Sequence, residues 1–213
     1  MTKRQAIEMI SKAAAVYEEN LNNKNLLIIY GNPSVPCYIE TKFLPRNFLH
    51  LTGVSLNKKI QNNSPARFYK NAVDHKLCED DFDFKGSTAE LKLCVLTNTL
   101  RIAENAGMIG DYNGVHLKLH TDKLAGSVNS CLGFVKICGV FVPNTVLAVD
   151  MRKEVRDRQK ILAILSKKIS SDKYDKIEMT GKKIDISRLL ERLEKSVPIA
   201  DELLHEKEPA GIV

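Results

Sequence analysis

The segment Asn47-Phe48-Leu49-His50-Leu51-Thr52-Gly53 sets an imidazole and a hydroxyl two residues apart in an otherwise apolar run. Read as extended chain, its side chains alternate between two faces. His50 and Thr52 then share a face with Phe48, and Leu49 and Leu51 occupy the other. A core strand needs neither an imidazole nor a hydroxyl there. A site that moves protons or holds a phosphate uses both.

Several other polar groups compete for a chemical role. His116 and His120 would be neighbours on a helix. The alternation of Val115-His116-Leu117-Lys118-Leu119-His120 instead predicts a strand. Four residues of strand separate the imidazoles by about 13 Å, too far for one ion to bridge. With Lys118 they form one polar strand face, expected to meet solvent. Cys131 and Cys138 lack the close pairing of a zinc site. No structural metal and no cofactor are therefore expected. Thr121-Asp122-Lys123-Leu124-Ala125-Gly126-Ser127 reads as a polar connection in which Lys123 and Ser127 can contact phosphate. It is not a P-loop, and the chain has no dinucleotide-binding Gly-x-Gly-x-x-Gly and no Gly-x-Ser-x-Gly elbow. Tyr69 and Lys70 are placed at the boundary of a helix, where a packed tyrosine with a bonded hydroxyl is the competing expectation. Asn144 and Thr145 follow Pro143 in an apolar strand, and proline there implies an edge or a bulge. Such polar groups are bonded structurally or line a site. His75 and His205 lie in polar surroundings and are assigned no role.

The 213 residues suffice for one good core. The net charge of +6 and pI near 9.0 favour an anionic partner, nucleic acid first. The excess is local: residues 152–183 hold 11 Lys and Arg against 5 Asp and Glu. That segment is the first candidate for a backbone-phosphate contact. No signal-peptide pattern and no run of membrane-spanning length is present, so neither export nor a membrane partner is expected. The five cysteines, an odd number in apolar contexts, read as reduced, buried thiols of a cytoplasmic protein.

Helical spacing of Ile7, Ile10, Ala14, Tyr17 and Leu21 predicts a helix over 3–21. Residues 26–43 read as a β-hairpin about Gly31-Asn32-Pro33-Ser34. Ser64-Pro65 starts a helix through Val73. Residues 88–106 fit strand or helix. From 107 onward strands prevail: one before Asn113-Gly114, two split at Cys138-Gly139, and a last one at 161–165. A charged amphipathic helix spans 185–195. Helices and strands are segregated, which predicts an α+β class: helices packed on a mainly antiparallel sheet. The expected organisation is one domain over 1–184 with a C-terminal helix and tail over 185–213.

Taken together, seven stretches resemble one family, the fourth phage-associated Barnase–EndoU–colicin–RelE-like (PBECR) family. They are 25–30, Phe43-Leu44-Pro45-Arg46 with the His50 segment, Phe68-Tyr69, Thr88-Ala89-Glu90-Leu91-Lys92-Leu93, 108–113, 121–126 and 142–147. They run in order over about 25–170. The resemblance implies an RNase-like fold and a metal-independent nuclease of phage or mobile-element conflict, a toxin-like or anti-defence effector in a bacterial host cell.

Metal-free RNA cleavage uses the neighbouring 2′-hydroxyl as nucleophile. It needs a base, an acid for the leaving 5′-oxygen, and cations for the phosphorane. In this reading His50 is the acid or base. Thr52 or Tyr69 orients it or bonds the phosphate. Lys123 supplies charge with Arg46 and Lys70, and Ser127, Asn144 and Thr145 contact substrate. RNA or a nucleotide is the expected ligand. Two rival readings share the segment: a non-catalytic binder that sequesters a nucleotide or a host or defence protein, and an ADP-ribosyltransferase-like enzyme. The second needs a later acidic residue that the sequence does not clearly offer.

Overall fold

A computed structural model describes residues 1–86, 88–114 and 119–204. The predicted strand residues Val115–Lys118, with His116 and Lys118, lie outside the described residues, as do His205 and the C-terminal tail. The helices are α1 (Lys3–Asn20), α2 (Phe48–Thr52), α3 (Pro65–Val73), α4 (Ala89–Leu100), α5 (Ile102–Asn105), α6 (Met151–Glu154), α7 (Ile186–Glu191) and α8 (Asp201–Leu204). The strands are β1 (Lys24–Asn32), β2 (Val35–Phe43), β3 (Val54–Leu56), β4 (Phe82–Phe84), β5 (Met108–Tyr112), β6 (Lys123–Gly126), β7 (Cys131–Ile137), β8 (Val140–Leu147), β9 (Val155–Lys168) and β10 (Lys176–Thr180).

The α+β class stands, but the mainly antiparallel sheet is corrected to a mixed one that closes on itself. The order β1-β2-β8-β7-β6-β5-β9 returns to β1, a seven-stranded barrel, with β10 added on β9. One pairing is parallel: β2 meets β8 where Thr41 faces Phe141. Closure depends on the length of β9. Its first half pairs with β5 and its second with β1, across a register shift in each ladder. Its Ile161–Leu165 stretch is thus the middle of a long strand and not the last one.

Sequence and structure agree closely at several ends. Thr2 and Gln5 cap α1 reciprocally. Ser64 accepts from the Arg67 N–H and Pro65 occupies the first turn of α3. The β1–β2 hairpin keeps a continuous register from Lys24–Phe43 to Asn32–Val35. The middle of β1, residues 26–29, is continuously apolar because both faces are covered. Leu26 and Ile28 join the main core with α1, α3 and α4, while Leu27 and Ile29 join a second core with Leu189, Leu193 and Leu203. Residues 185–204 therefore pack on the outside of β1 and β9. The ambiguous 88–106 stretch is helical, since Ala89, Leu93, Leu96 and Leu100 bury one face. Only Cys131 is a buried thiol, contrary to expectation; Cys37, Cys78, Cys94 and Cys138 are exposed.

The main correction concerns residues 48–52, which form helix α2 and not a strand. Phe48, Leu49, Leu51 and Thr52 are buried and His50 alone is exposed. Tyr17 packs edge-on against Phe48 with ring centroids 5.4 Å apart, and Tyr69 closes the group at 5.2 Å from Phe48. The Tyr17 hydroxyl donates to the Leu44 carbonyl (2.9 Å) at the entry to α2. Thr52 does not share a face with His50. Its hydroxyl donates to the Leu49 carbonyl (2.7 Å) and accepts from the Val54 N–H (3.3 Å). Gly53 ends the helix at φ +76°, and a Cβ there would lie 3.1 Å from Ala89 Cα.

Strand β8 carries the bulge that Pro143 implied. Gly133 faces Thr145 and Phe134 faces Pro143, so Asn144 is the extra residue. A Cβ at Gly133 would meet Thr145 Cγ2 at 2.6 Å and Thr121 Oγ1 at 2.9 Å.

Two substitutions test these constraints. Gly53→Ala should destabilise the protein by at least about 1–2 kcal/mol, the cost of a left-handed non-glycine residue. Gly133→Ala should cost about 1–3 kcal/mol through overpacking at the bulge. Urea unfolding measures both, and an unchanged midpoint for either variant contradicts the corresponding geometry.

Candidate active site

A cleft of about 860 Å³ opens where α2, α4, the β3–β4 pair and the bulge of β8 meet. Each wall follows from local chemistry. Helix α2 is pinned by its three apolar residues, so His50 is the position left to face the cleft. Strand β3 continues from Gly53 and pairs with β4, which brings Lys85 beside it; the Lys85 N–H donates to the Gly53 carbonyl (3.1 Å). The loop after β3 is held by amides. Asn57 donates to the Asp80 carbonyl (2.9 Å) and Asn63 to the Asp81 carbonyl (2.9 Å). The acidic loop 79–81 thus acts through its backbone. Helix α4 contributes Lys92, and Thr88 just before it also lines the cleft.

The far wall is Leu119, His120, Asn144 and Thr145. The bulge turns two successive polar side chains of β8 to separate tasks. Asn144 accepts from the Thr121 hydroxyl (2.7 Å) and donates to the His120 carbonyl (2.5 Å), which ties the His120 segment to the sheet. The buried Thr145 hydroxyl accepts from the Lys92 ammonium (2.8 Å).

Among the described residues that line the cleft there are two histidines, His50 and His120, and three lysines, Lys58, Lys85 and Lys92, but no aspartate or glutamate. Burial lowers the His50 pKa below its ordinary 6.5, and the positive charge of Lys85 lowers it further. Burial, then Lys85, lowers Lys92 in the same way. At neutral pH His50 is mainly a neutral imidazole. Among the described residues no three His, Cys, Asp or Glu side chains gather as metal ligands.

Of the nine residues singled out from the sequence, His50, Asn144 and Thr145 line this cleft. Thr52 supports α2 from below. Tyr69 is buried in the aromatic group and not at a boundary, because α3 lies between α1 and α2; its hydroxyl donates to Glu18 (2.5 Å), and burial with that carboxylate pushes its pKa up. Lys123 lies on β6, which corrects the expected loop to a strand. It pairs with Asp111 and sits 5.7 Å from the Tyr30 ring centre, outside the cleft lining. Ser127 follows β6 in a turn, where its hydroxyl accepts from the Asn129 N–H (3.3 Å). Arg46 and Lys70 are exposed on the turn 45–47 and on α3, also outside the lining. None of the basic segment 152–183 reaches the cleft. Lys85 and Lys92 were passed over. A signal for Lys92 exists in Thr88–Leu93: once that stretch is helical, Lys92 borders the buried face of Ala89, Leu93 and Leu96. His120 is exposed, as expected for its strand face, and the solvent it meets is that of the cleft mouth, where Asn144 tethers its backbone.

Among the described residues no helix is long and apolar enough to cross a membrane. No curated protein and no solved structure matches the chain. A family profile does, over residues 9–183, and that span includes every described wall of the cleft. With most of its length so matched, the chain belongs to the phage-Barnase-EndoU-ColicinE5/D-RelE like nuclease 4 family.

Proposed function

We propose that this nuclease-family protein cleaves RNA without a metal, with the scissile phosphate seated between His50 and Lys92. The observation that carries the reading is the cleft's composition. It gathers two imidazoles and three ammonium groups, and none of its described lining residues is a carboxylate. A half-buried ammonium such as Lys92, bonded only to a neutral hydroxyl in the described contacts, favours an anion beside it. A phosphodiester meets that demand. The missing carboxylate also weighs against two rivals. A hard divalent cation prefers oxygen ligands, and an ADP-ribosyltransferase needs an acidic residue at its site.

Cleavage then follows the charges. Neutral His50 removes the proton of the 2′-hydroxyl, whose oxygen attacks phosphorus. The P–O5′ bond breaks, and His120 protonates the departing 5′-oxygen. The products are a 2′,3′-cyclic phosphate and a 5′-hydroxyl. Lys92 and Lys85 stabilise the phosphorane, and Thr145 holds the Lys92 ammonium in place. Asn144 orients the His120 segment. The phage association in the family's description supports a role in conflict inside a bacterial host cell. Thr52 and Tyr69 support this chemistry by fixing α2.

The test is an RNA of defined sequence incubated with purified protein and EDTA. Cleavage should persist and leave a 2′,3′-cyclic phosphate, and the matching DNA, which lacks the nucleophile, should survive. His50→Ala should lower the rate about 10²–10⁴-fold with an unchanged circular dichroism spectrum. Cut DNA, loss of activity in EDTA, or full activity of His50→Ala contradicts the proposal. Tight nucleotide binding with no cleavage by the wild type supports the sequestering role instead.

The pH profile has a defined sign. His50 acts as base only when neutral, and its pKa is lowered. The acid limb of kcat/KM should therefore have its midpoint below 6.5. Removing the Lys85 charge relieves repulsion of the imidazolium and raises that pKa. Lys85→Gln should shift the acid limb upward, and a limb that stays fixed or moves down removes His50 as the base.

A further inference from the structure

Five cations outside the cleft lining gather around one hairpin tip. The tip of the β1–β2 hairpin, around Pro33, separates two shallow grooves. Lys160 lines the first; Lys183, Arg188 and Arg192 line the second. Three contacts hold this surface together. The Arg192 guanidinium donates to the Pro33 carbonyl. The Lys160 ammonium lies 3.5 Å from the Lys182 carbonyl, which places Lys182 beside the first groove. Arg188 is 3.9 Å from Asp185, the one carboxylate among the described residues lining either groove. All five cations are exposed.

We infer that this surface is a second contact for nucleic acid, one that holds the phosphate backbone of a long strand while the cleft acts on it. The inference rests on the nuclease reading for its ligand. Its form differs from that of the cleft in ways that decide what it binds. Its ammonium and guanidinium groups are solvated and spread over two grooves, which suits a polyanion better than one small anion. The single large apolar side chain exposed at the hairpin, Val35, is too little for a lipid surface. Among the described residues no base-stacking ring lines either groove, so the contact reads charge and not sequence.

The test uses full-length protein carrying His50→Ala, which holds RNA without cutting it. Binding of a 30-nucleotide RNA is compared with that of a trinucleotide, in that background and with Lys160→Glu, Lys183→Glu and Arg188→Glu added. The 30-mer should bind at least tenfold more weakly. The slope of log K against log salt should fall by about 2, three contacts at about 0.7 each for single strands. Trinucleotide binding should not change. Neutralising Lys183→Gln with Arg188→Gln should give an intermediate slope. Unchanged 30-mer binding overturns the inference, and so does an equal loss for the trinucleotide, which would report altered folding. A wild-type protein that leaves RNA intact refutes the nuclease reading alone, because the binding comparison is still decided by these slopes.

Discussion

The bond from the Lys92 ammonium to the Thr145 hydroxyl is the contact on which the site depends. It joins helix α4 to the bulged strand β8 across the cleft floor, and it holds a cation part-way into the protein among the cleft's other cations. Burial lowers the pKa of both His50 and Lys92, and the positive charge of Lys85 lowers each further. The cost of keeping these groups together is recovered when an anion enters. Burial, and then the charge of Lys85, keep His50 neutral and so available as a base near neutral pH. In the proposed function, the same charges that repel one another favour a phosphodiester among them.

Geometry follows from two backbone irregularities more than from regular structure. The Asn144 bulge lets consecutive residues of β8 serve different neighbours, Asn144 the His120 segment and Thr145 the lysine. Gly53 stops α2 after one turn and sends the chain directly into β3, which carries the opposite lip. Gly133 and Gly53 lie where a side chain would collide with these turns. The barrel around them is closed by a β9 long enough to pair with β5 and β1 in succession.

Much of this was legible in the sequence, and the failures have identifiable causes. The α1 helix, the β1–β2 hairpin, Ser64-Pro65 and the Pro143 bulge each rest on a local rule that the structure obeys. His50 stood out because an imidazole amid apolar residues is costly without a use. Its surroundings were misread because a single helical turn is too short to display a 3.6-residue period, and Phe48-Leu49-His50-Leu51-Thr52 alternates by chance like a strand. Thr52 then looked like a partner of His50, when its hydroxyl answers a backbone carbonyl and N–H at the helix end. Tyr69 was misplaced because the buried face of α3 runs through Phe68, Tyr69 and Ala72 and not through Phe68 and Val73, a choice set by where α1 and α2 pack. The closed barrel, the parallel β2–β8 contact and the approach of Lys85 and Lys92 to His50 join segments tens of residues apart, where no local pattern reports them. The basic stretch 152–183 was found by counting charge, which carries no information about a reaction centre.

The central claim is that His50 and a phosphate group share the cleft. A pH titration of the His50 imidazole by NMR, with and without uridine 3′-phosphate, tests it most directly. The account predicts a midpoint below 6.5 in the free protein that rises when the nucleotide binds, because the phosphate favours the imidazolium. A free midpoint at or above 6.5 that the nucleotide leaves unmoved contradicts it.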